Sequence, residues 1–294
     1  MEYTKSALTY AQQVERLQQR GLIGDAYVIE KYLRCVNYYR LTAYWHPYLN
    51  ADDQFRPDTT IQMVWRHYCF DRELRLLVMD ALERVEVSIR TSIAYHLGTQ
   101  LGAFGYLDQV YINDARKRME FLNRLNKSLK NSKQDFARHF CHKYGKKHEY
   151  PPIWIAVELL TFGGLAHLLT ASPPRVQKSV SAEYALPTQV SKSWLWTLLE
   201  TRNIVAHHER LWNRQLGTSA KYPKTAQWQN IPRDRTFGII VTLAYFMNRI
   251  APASRWARRI DALFVKYPDV DPRRMGLPEA WELSELSSIL SEWR

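Results

Sequence analysis

The chain has 294 residues, 46% of them hydrophobic and 24% charged, with only 11 glycines; that is enough apolar content for a sizeable core in one large domain or two smaller ones, and nothing in it points to long disordered stretches. A formal charge of +12 and a pI near 9.6 attract polyanions, either nucleic acid or an anionic membrane surface. Cys35, Cys69 and Cys141 are odd in number, far apart and without CxxC or CxxH spacing, so neither a disulfide framework nor a zinc knuckle is expected and a reducing cytoplasm fits best.

The first residues, MEYTKSALTY, show no basic segment followed by an apolar run, so no signal peptide is expected. SALTYAQQVERLQQRGL reads as a short helix capped near Ser6 and stopped by Gly21. A second helical region covers about Asp25 to Tyr48. Within it, NYYRLTAYWHPY packs Tyr38, Tyr39, Tyr44, Trp45 and Tyr48 around Arg40. Such rings either stack on unpaired bases or, as is more usual, serve as core and corner residues.

The clearest periodicity follows. Leu74, Val78, Ala81, Val85, Ile89 and Ser92 recur at three and four residues, widened by Leu77, Leu82 and Ile93. This predicts one long amphipathic helix from about Thr60 to Leu97. Its other face carries Glu83, Glu86 and Arg90, the last two at ion-pair spacing. GTQLGAFG is a glycine-marked loop without the GxxxxGK[ST] spacing of a P-loop.

From Asp114 to Lys147 eleven cations face three acids, so this segment holds a net +8 of the chain's charge. On a helix, Met119, Leu122, Leu125 and Leu129 share one side, while Lys117, Arg124, Lys127 and Asn131 share another. A cationic stripe beside a core-facing stripe suits a phosphate backbone; Lys117, Arg124, Lys127, Lys130, Lys146 and Lys147 are the candidate RNA-binding residues. A solubilising helix face has the same pattern. A membrane-surface helix would need bulky aromatic anchors, of which only Phe121 is present.

EYPPIW breaks the chain at Pro151 and Pro152. A seam there would divide it into residues 1–150 and 151–294, unless the two are continuous. WIAVELLTFGGLAHLLTA is too short and too punctuated for a membrane span and reads as buried helical pieces within Ile153–Ala171. Further helices are expected near Thr188–Trp212, Arg233–Ile250, Ser254–Tyr267 and Pro278–Trp293, with a polar loop from Gln215 to Pro232. There is no strand alternation and no repeat. The predicted class is all-α, an irregular helical bundle.

One stretch crowds chemistry into thirteen residues, RNIVAHHERLWNR, from Arg202 to Arg214. On a helix running to Trp212, Glu200, Asn203, His207, Arg210 and Arg214 form one polar stripe. It is either a solvated face or a surface turned to a cleft or a second subunit. Zinc is weakly supported, because HExxH is absent and His207 and His208 point about 100° apart. No GxSxG occurs and no cysteine is near. Histidine and arginine alone suffice for metal-free cleavage of RNA, in which the ribose 2′-hydroxyl is an internal nucleophile. An imidazole with an ordinary pKa of about 6.5 takes or gives the proton, and a guanidinium holds the phosphate.

The stretch resembles the RNxxxH form of the R-x4-6-H motif of the HEPN superfamily. The bare pattern also fits Arg40–His46 and Arg90–His96, so the extended form carries the resemblance. Together with VNYYRLTAYWHPYL and LRLLVMDALERVEVSIRTSI in the same order, AHHERLWNR is similar to bacterial abortive-infection (Abi) proteins of the AbiD/AbiF type. The resemblance covers roughly Leu8 to Ile250. It implies a HEPN-type four-helix core and a phage-defence toxin acting as a metal-independent endoribonuclease that leaves a 2′,3′-cyclic phosphate. It implies that Arg202 binds the phosphate, Asn203 supports it and His207 is the acid/base, with His208, Arg210 and Glu200 in support. It further implies a homodimer with a composite site, a small noncoding RNA as antitoxin, and neither metal nor cofactor. The alternative is a non-catalytic RNA-binding or interaction protein on the same fold. On an ideal helix Arg202 sits about 140° from His207, so the arginine must bend round, the helix must distort, or a partner chain must supply one of the two.

Overall fold

Thirteen α-helices and no strand are present among the residues that the computed structural model describes, which are 2, 6–111 and 113–279. The all-α reading is correct. The chain divides into two compact units. One holds the residues up to Leu76 together with Ala262–Asp271; the other holds Leu77–Asp261 and the residues from Pro272 onward. Pro151 falls inside the second unit.

In the first unit, α1 (Tyr10–Gln19) begins at Thr9, not Ser6. Thr9 and Gln12 form a reciprocal capping box, and the second of the two partners is what singles Thr9 out. The region from Asp25 to Tyr48 is two helices, α2 (Ala26–Cys35) and α3 (Tyr38–Trp45). The side chain of Asn37 accepts from the Tyr39 amide and starts the second helix where the extended Val36 ends the first. The aromatic stretch is chiefly core: Tyr44 and Trp45 are buried, whereas Tyr39 stands out in solvent. The stacked pair Tyr32 and Trp65, 4.0 Å between centroids, joins α2 to α4 (Ile61–Leu101).

Helix α4 carries the apolar stripe read from the sequence. Leu74, Val78, Ala81, Leu82, Val85, Ile89, Ser92 and Ile93 are all buried. Arg90 meets Glu86 at 2.9 Å as the spacing predicts, and it also bonds Glu158 and the Leu160 carbonyl, both at 3.2 Å.

The second unit continues through α5 (Tyr106–Gln109), α6 (Ala115–Asn131) and α7 (Asp135–Tyr144). The basic segment is thus two helices, broken at Ser132 to Gln134. Phe121, Leu122, Leu125 and Leu129 are the buried face of α6, but Met119 is about half exposed. It lies at the margin of a stripe centred nearer Phe121 and Leu125. Leu129, Ala137 and Phe140 form a small core under the turn, with Phe136, Ile155 and Leu159 against it.

The apolar run after Pro152 forms α8 (Ile153–Ala156) and, after a break at Leu160, α9 (Phe162–Ala171). Thr161 caps α9 through the Gly164 amide. Then come α10 (Pro174–Glu183), which the sequence reading omitted, α11 (Thr188–Ala206), α12 (Thr236–Ile250) and α13 (Trp256–Lys266). The unbroken run Thr236–Met247 of α12 is buried all round, as a central helix requires. Trp194 of α11 is the hub of this core. Its ring lies 5.1 to 6.2 Å from those of Tyr222, Trp228, Tyr245 and Phe246, and its indole N–H donates to the Lys221 carbonyl at 2.7 Å. Among the described residues no single helix is long and apolar enough to cross a membrane. The helix expected at Pro278–Trp293 lies, beyond Glu279, outside the described residues.

Candidate functional site

Helix α11 stops at Ala206, six residues before the expected end at Trp212. The stop has a clear local cause. His208 takes a left-handed backbone (φ 57°), its amide donates to the Val205 carbonyl at 3.0 Å, and the Glu209 amide donates to the Ile204 carbonyl at 2.9 Å. These are the paired bonds of a Schellman ending, with histidine where glycine is usual. The single polar stripe from Glu200 to Arg214 therefore does not exist as one helix face. Arg210 and Arg214 lie in a loop beyond it, fixed by the burial of Leu211 and Trp212. The loop is further strapped by the Thr236 hydroxyl on the Leu211 carbonyl at 2.7 Å and by an Arg214–Glu209 ion pair at 2.7 Å.

What remains of the stripe is compact. Asn203 and His207 are exposed and one helical turn apart, and the His207 amide donates to the Asn203 carbonyl at 3.0 Å. Arg202 is half-buried, and its Nη1 donates to Asn203 Oδ1 at 3.3 Å. The arginine thus bends toward the face that Asn203 shares with His207, one of the ways in which the 140° separation can be closed. The three principal candidates stand at the solvent end of α11. His207 and His208 are at the helix cap, which directs both side chains outward from the core.

Glu200 has a different task. Its Oε1 accepts from the Gly217 amide at 2.8 Å, and its Oε2 from the Thr218 amide at 2.8 Å and the Thr218 hydroxyl at 2.6 Å. It moors the following loop to α11. Partial burial opposes its charge, but the Thr218 hydroxyl, the two amides and the Arg214 guanidinium outweigh it and hold the carboxyl below the usual range. A carboxyl lowered on folding stabilises the fold above its unfolded value and loses that contribution as pH falls through the lower folded value. Glu200→Gln should therefore destabilise the second unit by about 1–2 kcal/mol at pH 7 and less at pH 3. Unfolding curves at the two pH values check this.

The six cations singled out in the basic segment are all exposed. Lys117 and Arg124 have acidic neighbours, Asp114 at the cap of α6 at 3.0 Å and Glu120 within it at 3.6 Å. Lys146 and Lys147 follow α7 in the turn before Pro151. Among the described residues no three His, Cys, Asp or Glu side chains are grouped to hold a metal ion.

Two features escaped the sequence reading. One is the buried set Tyr44, Asp71 and Arg75 in the first unit. The other is a cavity between α6 and the start of α9, of which the sequence shows only the separate walls, the cationic stripe of α6 and the GG of TFGGLAH. No curated protein and no solved structure is significantly similar to the chain. The family model described as Abi-like protein matches residues 31–213, from the middle of α2 to the buried loop after His207, which takes in the aromatic stretch, the long helix and the motif; the chain belongs to this Abi-like family.

Proposed function

We propose that the protein is an abortive-infection toxin of the AbiD/AbiF type, a metal-independent endoribonuclease on a HEPN-type core, with Arg202, Asn203 and His207 at its centre. The observation that carries this reading is the Arg202–Asn203 contact at the exposed end of α11, which turns a guanidinium toward the face of the His207 imidazole. Membership of the Abi-like family supports the defence role.

The chemistry balances without a cofactor. His207 removes the proton of the ribose 2′-hydroxyl, the 2′-oxygen bonds to phosphorus, and the P–O5′ bond breaks. The departing 5′-oxygen takes a proton, supplied by the second copy's imidazole in a dimer or by water. The products are a 2′,3′-cyclic phosphate and a 5′-hydroxyl. Arg202 neutralises the charge that grows on the phosphoryl oxygens, and Asn203 holds the guanidinium in place. His208 keeps a strained left-handed backbone that costs about 1 kcal/mol relative to glycine. A side chain retained there fits a role at the site. A homodimer would bring two such helix ends together, and a small noncoding RNA would be the natural restraint on a toxin with this much exposed positive charge.

The exposed cations of α6 and α7 favour a second reading, RNA binding without cleavage. One assay separates the two. Purified protein in EDTA should cut RNA and leave 2′,3′-cyclic phosphate ends, identified by mass spectrometry. Cleavage that appears only on addition of metal, or fragments with 3′-hydroxyl ends, would overturn the mechanism. Tight binding without product would favour the second reading.

A further inference from the structure

Between α6 and the start of α9 lies a cavity of about 520 Å³, within the 300–1,000 Å³ usual for a ligand-sized pocket. One wall is the cationic face of α6, with Lys117, Arg124 and Lys127; the other is Thr161, Gly163 and His167. Tyr111 and Phe121 supply aromatic surface. Burial pushes the Tyr111 phenol up to about 12, and Arg124 is near enough to oppose that rise. The only acid in the lining is Glu120, which is already engaged by Arg116 at 3.2 Å and Arg124 at 3.6 Å. Lys127 makes no ion pair among the described residues. The Thr161 hydroxyl accepts from the Gly164 amide, while the amide of Gly163, a lining residue, finds no acceptor among the described residues. The pocket therefore offers several donors to an anion and little to repel one.

Its position ties it to the motif. A Cβ at Gly163 would touch the Leu199 side chain of α11 at 3.7 Å, and His167 packs edge-on against Trp196 at 4.9 Å. Leu199 lies one turn before Arg202 and Asn203, which flank its face by about 60° and 40° on either side. The axial step from Leu199 to Asn203 is only about 6 Å.

We infer that this cavity is a phosphate subsite of the same RNA-cleaving centre: it seats a backbone phosphate flanking the scissile linkage, on Lys117, Arg124, Lys127 and the Gly163 amide at the start of α9. The inference rests on RNA being the substrate. It differs from diffuse attraction along the basic segment because it demands particular cations and access to the helix start.

Binding of a short single-stranded RNA of mixed sequence to the full-length His207→Ala chain, followed by fluorescence anisotropy, tests it without interference from cleavage. Arg124→Gln with Lys127→Gln should weaken binding about tenfold and flatten the salt dependence by about 1.4 in log–log slope. Lys133→Gln with Arg138→Gln removes the same charge at exposed positions outside the cavity and should weaken binding less than about threefold. Gly163→Asp meets only ordinary contacts at its Cβ, and an acid in the first turn suits the helix. It should preserve the melting temperature and still weaken binding about tenfold, because it sets a carboxylate against the phosphate. Equal losses from the two lysine and arginine pairs, or unaltered binding by Gly163→Asp, would overturn the subsite and leave RNA recognition standing. Failure of every variant and of the parent to bind RNA would overturn both.

Discussion

His207→Ala should reduce RNA cleavage by about 10²–10⁴-fold and remove toxicity in cells, with little change in stability. The size follows from the role. An acid/base group in place contributes about that much. The small structural cost follows from the position. The His207 side chain is exposed, and its last-turn hydrogen bond to the Asn203 carbonyl is made by its backbone amide, which alanine keeps. Stability should change by less than about 0.5 kcal/mol. Arg202→Lys should fall nearly as far in rate, because a lysine has no planar fork to share between Asn203 and a phosphate. Rates on a defined RNA, thermal melts of the purified variants and viability on induction together give the result. If His207→Ala cuts RNA as fast as the parent while Arg202→Lys does not, the imidazole is not the acid/base and the assignment falls.

The helical character of this chain and its main core stripe could be read from spacing, because helix periodicity depends on local sequence. Leu74, Val78, Ala81, Val85 and Ile89 were placed correctly for that reason. Where helices end was harder. Ser132, Leu160 and His208 each interrupt an apolar or amphipathic pattern that continues on the far side. At His208 a Schellman ending forms without the glycine that normally announces it, so the pattern pointed to a longer helix and a longer polar stripe. Helix α10 opens on Pro173 and Pro174, with Pro174 at its first position, a standard helix start signal. The motif residues themselves were legible from their order. What they face depends on tertiary packing, and so the α6–α9 cavity could not be found from spacing: its two walls are about forty residues apart in sequence.

The buried charge in the first unit shows the same limit and yields the largest expected stability change. Asp71 is three residues before Leu74 and four before Arg75, so it lies on the core side of α4 and not on the outer face where such pairs usually sit. It is fully buried, Arg75 is 7% exposed and Tyr44 is 1% exposed. The Asp71 carboxylate accepts from the Arg75 guanidinium and from the Tyr44 hydroxyl at 2.5 Å, and the guanidinium also reaches that hydroxyl at 3.2 Å. Burial, then the neighbouring Asp71 charge, drives the Tyr44 phenol far above its ordinary value, so it remains a hydrogen-bond donor. Asp71→Ala would remove from the core the carboxylate that the Arg75 guanidinium and the Tyr44 hydroxyl share and should destabilise the first unit by about 3–5 kcal/mol. That is a large part of the roughly 5–15 kcal/mol that holds a typical domain together. Replacing the set by apolar groups of similar size, Asp71→Leu with Arg75→Met and Tyr44→Phe, should recover part of the loss, because removing the buried polar groups together also removes their desolvation cost. Urea unfolding followed by tryptophan fluorescence compares the two, since Trp45 and Trp65 both belong to this unit. A triple variant as unstable as Asp71→Ala would show that the polar set itself, and not its desolvation, holds α3 against α4.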